Sequence, residues 1–172
     1  MKVTHQLEKM EPMVLDLVKD VKGDDWHKAP EGKWSVAQIV GHLSIGIGLV
    51  AGAFERRSEK KGMERRATPE QSLLRHMVLG QGELPTGASA PVSSLPLERP
   101  VPEEVMADYR MGIERLRRMT DEWPPERQSE IFVEHPMFGD FNLPEWVRFH
   151  FLHSKHHKKQ IEERLRWIKE DQ

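Results

Sequence analysis

The sequence lacks cysteine, a marked excess of either charge, and an apolar N-terminal core. The absence of cysteine among 172 residues excludes disulfide bonds and thiolate metal ligands, and it fits a reducing compartment. The net charge of −2 gives no overall attraction to nucleic acid or to an anionic membrane. The first residues, MKVTHQLEKMEPMVLDL, do not have the apolar core of a signal peptide. We therefore expect a cytoplasmic protein.

Long apolar runs are also scarce. The best one, Ile39 to Phe54, carries His42 and four glycines, whereas a membrane-spanning helix needs about 20 predominantly apolar residues. The sequence therefore predicts no membrane span. A chain of this length buries roughly two-thirds of its surface when it folds, so we expect one domain, residues 1–172, without covalent cross-links.

Basic residues concentrate in one connecting stretch, 55–69, where a nucleic-acid-binding patch is the alternative to a solvated connection. Glutamates are interleaved with the arginines and lysines there and offset about half of the positive charge. This mixture favours a solvated connection, and we expect no nucleic-acid partner.

Four segments have the 3.6-residue apolar period of amphipathic helices. The first runs from about Leu7 to Val21, and the second begins at Ser35, where Ser-x-x-Gln forms a capping box. The third begins near Pro102 and ends before Pro124, and the fourth runs from Asn142 to about Lys169. The pattern predicts an all-α four-helix bundle with at least one crossover connection; a helical domain of another connectivity is the alternative.

The connections between these helices are irregular. Pro69 to Leu79 is expected to form one short helix, and IFVEHPMFGDF an extended piece or a structured loop. Gly80 to Pro102 is rich in proline and glycine and predicts an irregular loop. Long loops in compact domains tend to be functional or disordered, so we expect this one to lie over or near the functional site.

Five histidines are candidates for that site by position, and three stand out. At 100° per residue, His153 and His157 are about 40° apart on the fourth helix, on the same stripe as Trp146 and Phe149. His42 lies among apolar residues of the second helix and should also face inward. Single buried histidines are commonly hydrogen-bonded core residues. Three together would leave several ring nitrogens unsatisfied, at about 1–3 kcal/mol each, whereas one metal ion would satisfy one on each ring.

An i, i+4 histidine pair on a buried helical face is a recurrent metal-binding arrangement, found in the His-Glu-x-x-His motif of zinc proteases. The glutamate of that motif is replaced here by Ser154, which argues against a protease-like mechanism. His156 lies nearer the solvent edge of the helix and is not expected to be a ligand.

At these histidines the sequence resembles the DinB-like superfamily of metalloenzymes, which includes YfiT-type and thiol-dependent transferase branches. WSVAQIVGHLSI, Trp34 to Ile45, is similar to the family's Trp-Ser…Gln/Glu-Ile…His-Leu signature. HPMFGDFNLPEWVRFHFLHSKHHKKQI, His135 to Ile161, is similar to its C-terminal stretch, His-Pro-x-Phe-Gly followed by Glu-Trp and His-x-x-His-His-x-x-Gln-Ile.

The resemblance implies a four-helix bundle, often a homodimer, with one divalent ion (zinc, nickel or iron) on three histidines. Residue by residue, the ligands correspond to His42, His153 and His157, and His156 is the non-ligand middle histidine. The middle of the chain, 55–122, matches only as helices with an unusually long loop. Several branches use low-molecular-weight thiols such as bacillithiol or mycothiol.

Three protein ligands leave a position for water or substrate, as catalytic sites do. The ion could then ionise a thiol for transfer to an electrophile or a water for hydrolysis. The resemblance to the thiol-using branches implies a thiol-dependent S-transferase acting on a small molecule; the alternatives are a metal-dependent hydrolase and a non-catalytic metal-binding bundle. His135, Glu145 and His150 are candidates for supporting or acid–base roles, although each residue type is more often structural.

Overall fold

The computed structural model describes residues 2–82, 84 and 90–170 as a helical bundle with a small β-hairpin. Single-turn 3-10 helices lie at Gly23–His27 and Val92–Ser94. In chain order, the helices are α1 (Val3–Val18), α2 (Val36–Arg56), α3 (Pro69–Gln81), α4 (Pro102–Glu122), α5 (Pro125–Glu130) and α6 (Leu143–Glu170), and the strands β1 (Val133–His135) and β2 (Gly139–Phe141) precede α6.

Three helices begin at reciprocal side-chain caps. In the capping box of α2, the Gln38 backbone N–H donates to Ser35 Oγ, and the Ser35 N–H donates to the Gln38 side chain. Thr68 does the same for α3. At α6, the Glu145 N–H donates to Asn142 Oδ1 at 3.0 Å, and the Asn142 N–H donates to Glu145 Oε2 at 2.9 Å. Each pair satisfies backbone donors that the first helical turn leaves open.

The four long helices form the bundle. α1 packs against α4 and α6, and α2 packs against the same two helices, so α1 and α2 stand at opposite corners and the chain crosses the bundle between them. This confirms the predicted all-α bundle with a crossover. The centre is filled by large side chains that are almost inaccessible to solvent: Leu7, Met10, Ile39, Ile47, Phe54, Tyr109, Ile113, Leu116 and Leu143.

α2 is the most apolar of the long helices. By length and composition it could cross a bilayer, but most of it is buried inside the protein, which is the pattern of a core helix. Its glycines allow close approach: a Cβ at Gly41 would touch Val105, and one at Gly52 would lie 3.2 Å from Arg115. On the facing helix, a Cβ at Gly112 would lie 2.4 Å from Ile47 Cγ2, so α4 needs glycine there.

Two connections differ from the sequence prediction, and a third, IFVEHPMFGDF, confirms the predicted extended piece. The predicted loop from Gly80 begins two residues later, because Gly80 and Gln81 still belong to α3, which ends at Gly82 with φ of 77°. Part of that loop, 83 and 85–89, lies outside the described residues. After Pro124 the chain forms α5, because Pro125 is at the first helical position, where proline is tolerated. IFVEHPMFGDF contains the antiparallel pair β1–β2.

The charged stretch before α3 is part of the folded structure. The Arg66 N–H donates to the buried carboxylate of Asp140 at 2.8 Å, and the Asp140 N–H donates to the Arg66 carbonyl at 2.9 Å. The Arg65 guanidinium bonds the Asp140 carbonyl and lies 2.9 Å from Glu145. These contacts tie the stretch before α3 to the hairpin and to the first turn of α6.

Candidate metal centre

His42 of α2 and His153 and His157 of α6 bring three imidazoles together in the bundle. His42 Nε2 lies 3.1 Å from His153 Nε2, and His157 Nε2 lies 3.0 Å from the same atom. One ring nitrogen from each of the three therefore faces a common point. His42 and His157 are buried, while His153 is partly exposed.

The outer nitrogens of two of these rings have fixed partners. His42 Nδ1 lies 2.8 Å from the Ser94 carbonyl oxygen, which can only accept, so Nδ1 carries the proton. His157 Nδ1 lies 2.8 Å from Gln160 Oε1 and donates in the same way. In neutral rings, the Nε2 atoms of His42 and His157 then present lone pairs to the centre.

Burial keeps the three rings neutral. Desolvation lowers the pKa of His42, against an opposing effect of the Ser94 carbonyl. It lowers the pKa of His157 to about 3, helped by His42. The pKa of His153 lies well below its usual value because of burial and the neighbouring imidazoles. The unprotonated form that metals bind is therefore the form present at neutral pH.

Hydrogen bonding among the three rings cannot satisfy them. A proton on His153 Nε2 can form a good hydrogen bond with only one of the two lone pairs that face it, and His153 Nδ1 is buried without a partner. A cation at the centre would accept all three lone pairs. Ligand nitrogens at about 2.0–2.1 Å from one ion lie at most about 4.2 Å apart, and the separations of 3.0 and 3.1 Å fall within that limit. The residues present fit a divalent ion.

The site offers three protein ligands. In the described part of the chain, no fourth histidine, aspartate or glutamate joins the group. A three-imidazole shell leaves a coordination position for water or substrate. Imidazole suits zinc, nickel and iron alike, so the donor set does not select the metal.

Aromatic rings enclose the cluster. The Trp34 ring lies 5.0 Å from that of His42 and stacks near His157, and Phe149 stacks on His153 at 5.5 Å between centroids. Arg164 Nε donates to the Trp34 carbonyl at 2.8 Å and so ties this segment to α6. Phe149 is buried and Trp34 is partly buried, so these rings cover part of the imidazole surface.

The other candidates occupy different places. His135 and His150 are buried in a neighbouring group of aromatic rings, where burial lowers their pKa values to about 4 and about 3. His150 stacks on Trp146, and its Nε2 has no partner among the described residues. Glu145 is the cap of α6 and the partner of Arg65 and Arg75. The structure therefore gives His135 and Glu145 structural contacts and brings neither into the three-histidine group.

Ser94 and Gln160, which contact the outer nitrogens of His42 and His157, were not predicted from the sequence to belong to the site. Ser94 acts through its backbone carbonyl, which leaves no signal in residue type. Gln160 lay within the recognised C-terminal stretch, and its i+3 position from His157 was a usable signal. His156 stays outside the group, and its Nε2 lies 3.3 Å from Gln160 Nε2.

Comparison with known proteins gives one family. Residues 6–161 match the family model described as the DinB superfamily. Neither the curated proteins nor the solved structures yielded a match.

Proposed function

This chain belongs to the DinB superfamily, and we propose that it is a metal-dependent enzyme whose divalent ion is held by His42, His153 and His157. The observation that carries the proposal is the convergence of three neutral imidazoles whose hydrogen bonds cannot be completed among themselves. A closed structural site would be expected to supply a fourth protein ligand, and an open one supports catalysis.

The protein residues have separable roles in this proposal. His42, His153 and His157 bind the ion, which supplies positive charge that lowers the pKa of a thiol or a water beside it. The Ser94 carbonyl and Gln160 orient two of the imidazoles. Trp34 and Phe149 cover part of the ring surfaces, and the part of His153 that remains accessible is the proposed approach for substrate.

We favour a thiol S-transferase over a hydrolase, on the resemblance to the thiol-using branches. The chain has no cysteine, so the thiol must be a low-molecular-weight cosubstrate. With a chlorinated aromatic electrophile, a sulfur–carbon bond forms, the carbon–chlorine bond breaks, and chloride and the thiol proton leave.

The test uses protein purified without a nickel column. Its metal content is measured first, and the loaded protein is then assayed with bacillithiol, mycothiol and glutathione against a chlorinated aromatic compound, beside ester and amide substrates. The proposal expects about one ion per chain and thioether formation. Hydrolysis alone would replace the transferase with a hydrolase, and a fourth protein ligand in a metal-loaded crystal structure would refute the enzyme.

The remaining features of the proposal concern context. We propose a single domain that acts on a small molecule in the cytoplasm as a homodimer, with neither a nucleic-acid partner nor a membrane partner. The single domain is supported by a family match that extends over 6–161, and the other features follow from the composition and from the resemblance.

A further inference from the structure

Gln160 and His156 form a chain of contacts that ends at a proposed metal ligand. Gln160 Oε1 lies 2.8 Å from His157 Nδ1, and Gln160 Nε2 lies 3.3 Å from His156 Nε2. One side-chain amide thus joins the ligand histidine to the non-ligand histidine beside it. We propose that Gln160 is a positioning residue of the metal centre and that His156 sets the orientation of its amide.

The amide orientation decides the tautomer of His157. With the oxygen toward His157, Nδ1 must carry the proton, and Nε2 presents the lone pair that a metal needs. With the amide reversed, its NH2 group would face Nδ1, which favours the proton on Nε2, directed at the cluster. The second tautomer does not bind an ion through Nε2.

His42 does not have this ambiguity. Its Nδ1 faces the Ser94 backbone carbonyl at 2.8 Å, which cannot reverse and can only accept. Gln160 can reverse, so another group must fix it. Only the Nδ1–H tautomer of His156 presents a lone pair at Nε2, and the proposal includes that tautomer. Its Nε2 then accepts from the Gln160 NH2 group at 3.3 Å and holds the amide oxygen toward His157.

In this proposal His156 binds no ion but orients the Gln160 amide. The proposal rests on the proposed three-histidine site. Two substitutions at Gln160 separate the effect of the acceptor toward His157 from the effect of side-chain size. Gln160→Glu keeps an acceptor toward His157 in either orientation. Gln160→Leu removes the acceptor at similar size. Lys159→Leu, at an exposed neighbouring position of α6, is the matched control for adding a leucine.

The first measurement is the affinity for Zn²⁺ by competition with a chromophoric chelator. We expect Gln160→Leu to weaken binding roughly 10–100-fold, as loss of outer-sphere partners of metal-bound histidines does. Gln160→Glu and Lys159→Leu should bind as tightly as wild type, or more tightly in the case of the glutamate. Equal affinity of Gln160→Leu and wild type, or equal losses in the leucine and glutamate variants, would overturn the proposal.

The second measurement needs no metal. Nitrogen-15 NMR of metal-free protein distinguishes the two tautomers of His157. We expect the Nδ1–H form in wild type and in Gln160→Glu, and a mixture in His156→Ala. An amide that takes both orientations equally would double the apparent Kd, so His156→Ala should weaken Zn²⁺ binding about twofold.

The double variant, His156→Ala with Gln160→Glu, tests the role of His156 most directly. A carboxylate accepts with either oxygen, so His156→Ala should have no effect on affinity or tautomer when Gln160→Glu is present. An effect of the same size in both backgrounds would overturn the role of His156. If wild-type protein binds no Zn²⁺, the proposed function fails, and the tautomer measurement still decides whether Gln160 fixes His157.

Discussion

At the scale of single residues, the three clustered imidazoles are held unequally. His42 and His157 each donate to an acceptor, whereas His153 has a buried Nδ1 without a partner. His153 also lies between the other two Nε2 atoms. The orientation of the His153 ring therefore depends more on an ion at the centre than the orientations of the other two rings do.

His42→Ala and, separately, His153→Ala should each remove most of the bound metal. Loss of a ligand should weaken binding by at least about 100-fold, since loss of an outer-sphere partner alone costs 10–100-fold. Far-UV circular dichroism should stay near wild type, because the core does not depend on these rings. Metal content is measured by elemental analysis after gel filtration. Unchanged stoichiometry in both variants would contradict the site, and His156→Ala should keep its ion.

His135 should make stability depend on pH. Burial lowers its pKa to about 4, and its Nδ1 accepts the Met137 N–H. The unfolded chain takes up that proton near pH 6.5, so the stabilisation is complete above pH 6.5 and is lost as pH falls toward 4. In metal-free protein, His135→Asn should reduce the slope of the unfolding free energy against pH, between pH 6.5 and 4, by up to about 1.4 kcal/mol per pH unit.

Urea denaturation at intervals between pH 7.5 and 4.5 measures this slope. Asparagine retains an acceptor for the Met137 N–H, so any loss of packing shifts the whole curve without changing its slope. An identical slope in wild type and His135→Asn would show that His135 does not titrate in this range.

At the scale of elements, the α2–α4 contact depends on glycine. Gly112→Ala places a Cβ 2.4 Å from Ile47 Cγ2, and overpacking of this kind costs about 1–3 kcal/mol. Gly48→Ala meets nothing within 4 Å and should stabilise by up to about 1 kcal/mol through helix propensity. Chemical denaturation compares the two. Stabilisation by Gly112→Ala would mean that the helices do not approach this closely.

The segment after α3 should become more resistant to proteolysis when metal binds. Its Val92–Ser94 turn holds His42 through the Ser94 carbonyl, so an ion on His42 should stabilise the docked turn. We expect limited proteolysis between Gly82 and Pro102 to slow several-fold when Zn²⁺ is added to wild type. His42→Ala is the control and should show no slowing. Cleavage that is rapid and unaffected by metal in wild type would favour plain disorder over the predicted position of this loop at the functional site.

Features that depend on residues close together in the sequence, such as helix caps and helix faces, were predicted well. The Ser35–Gln38 capping box and the Asn142 cap placed two helix starts, and the 3.6-residue period placed the inward faces of α2 and α6. The wheel also brought His153 and His157 onto one stripe. The contact between Arg66 and Asp140 could not be read in this way, because the residues are far apart in the chain and Arg66 takes part through its backbone N–H and carbonyl. Ser94 was missed for the same reason.

At the scale of the whole molecule, the ion would join two helices of a bundle whose core is already apolar. Adding Zn²⁺ at 100 times its Kd should raise the free energy of unfolding by about 2.7 kcal/mol, and chelation should reverse this without loss of helix. Urea denaturation with and without metal measures the difference, and His42→Ala should show none. Collapse of the helical signal on chelation would mean that the core requires the ion.

The distance along the chain between the ligands has a consequence for synthesis. His42 is separated from His153 by 111 residues, and domains emerge from the ribosome with the N-terminal part first. His42 is therefore synthesised 111 residues ahead of His153, and His157 follows four residues later. In the proposed site, the complete ligand set exists only once α6 docks on α2, so binding by all three histidines follows assembly of the bundle.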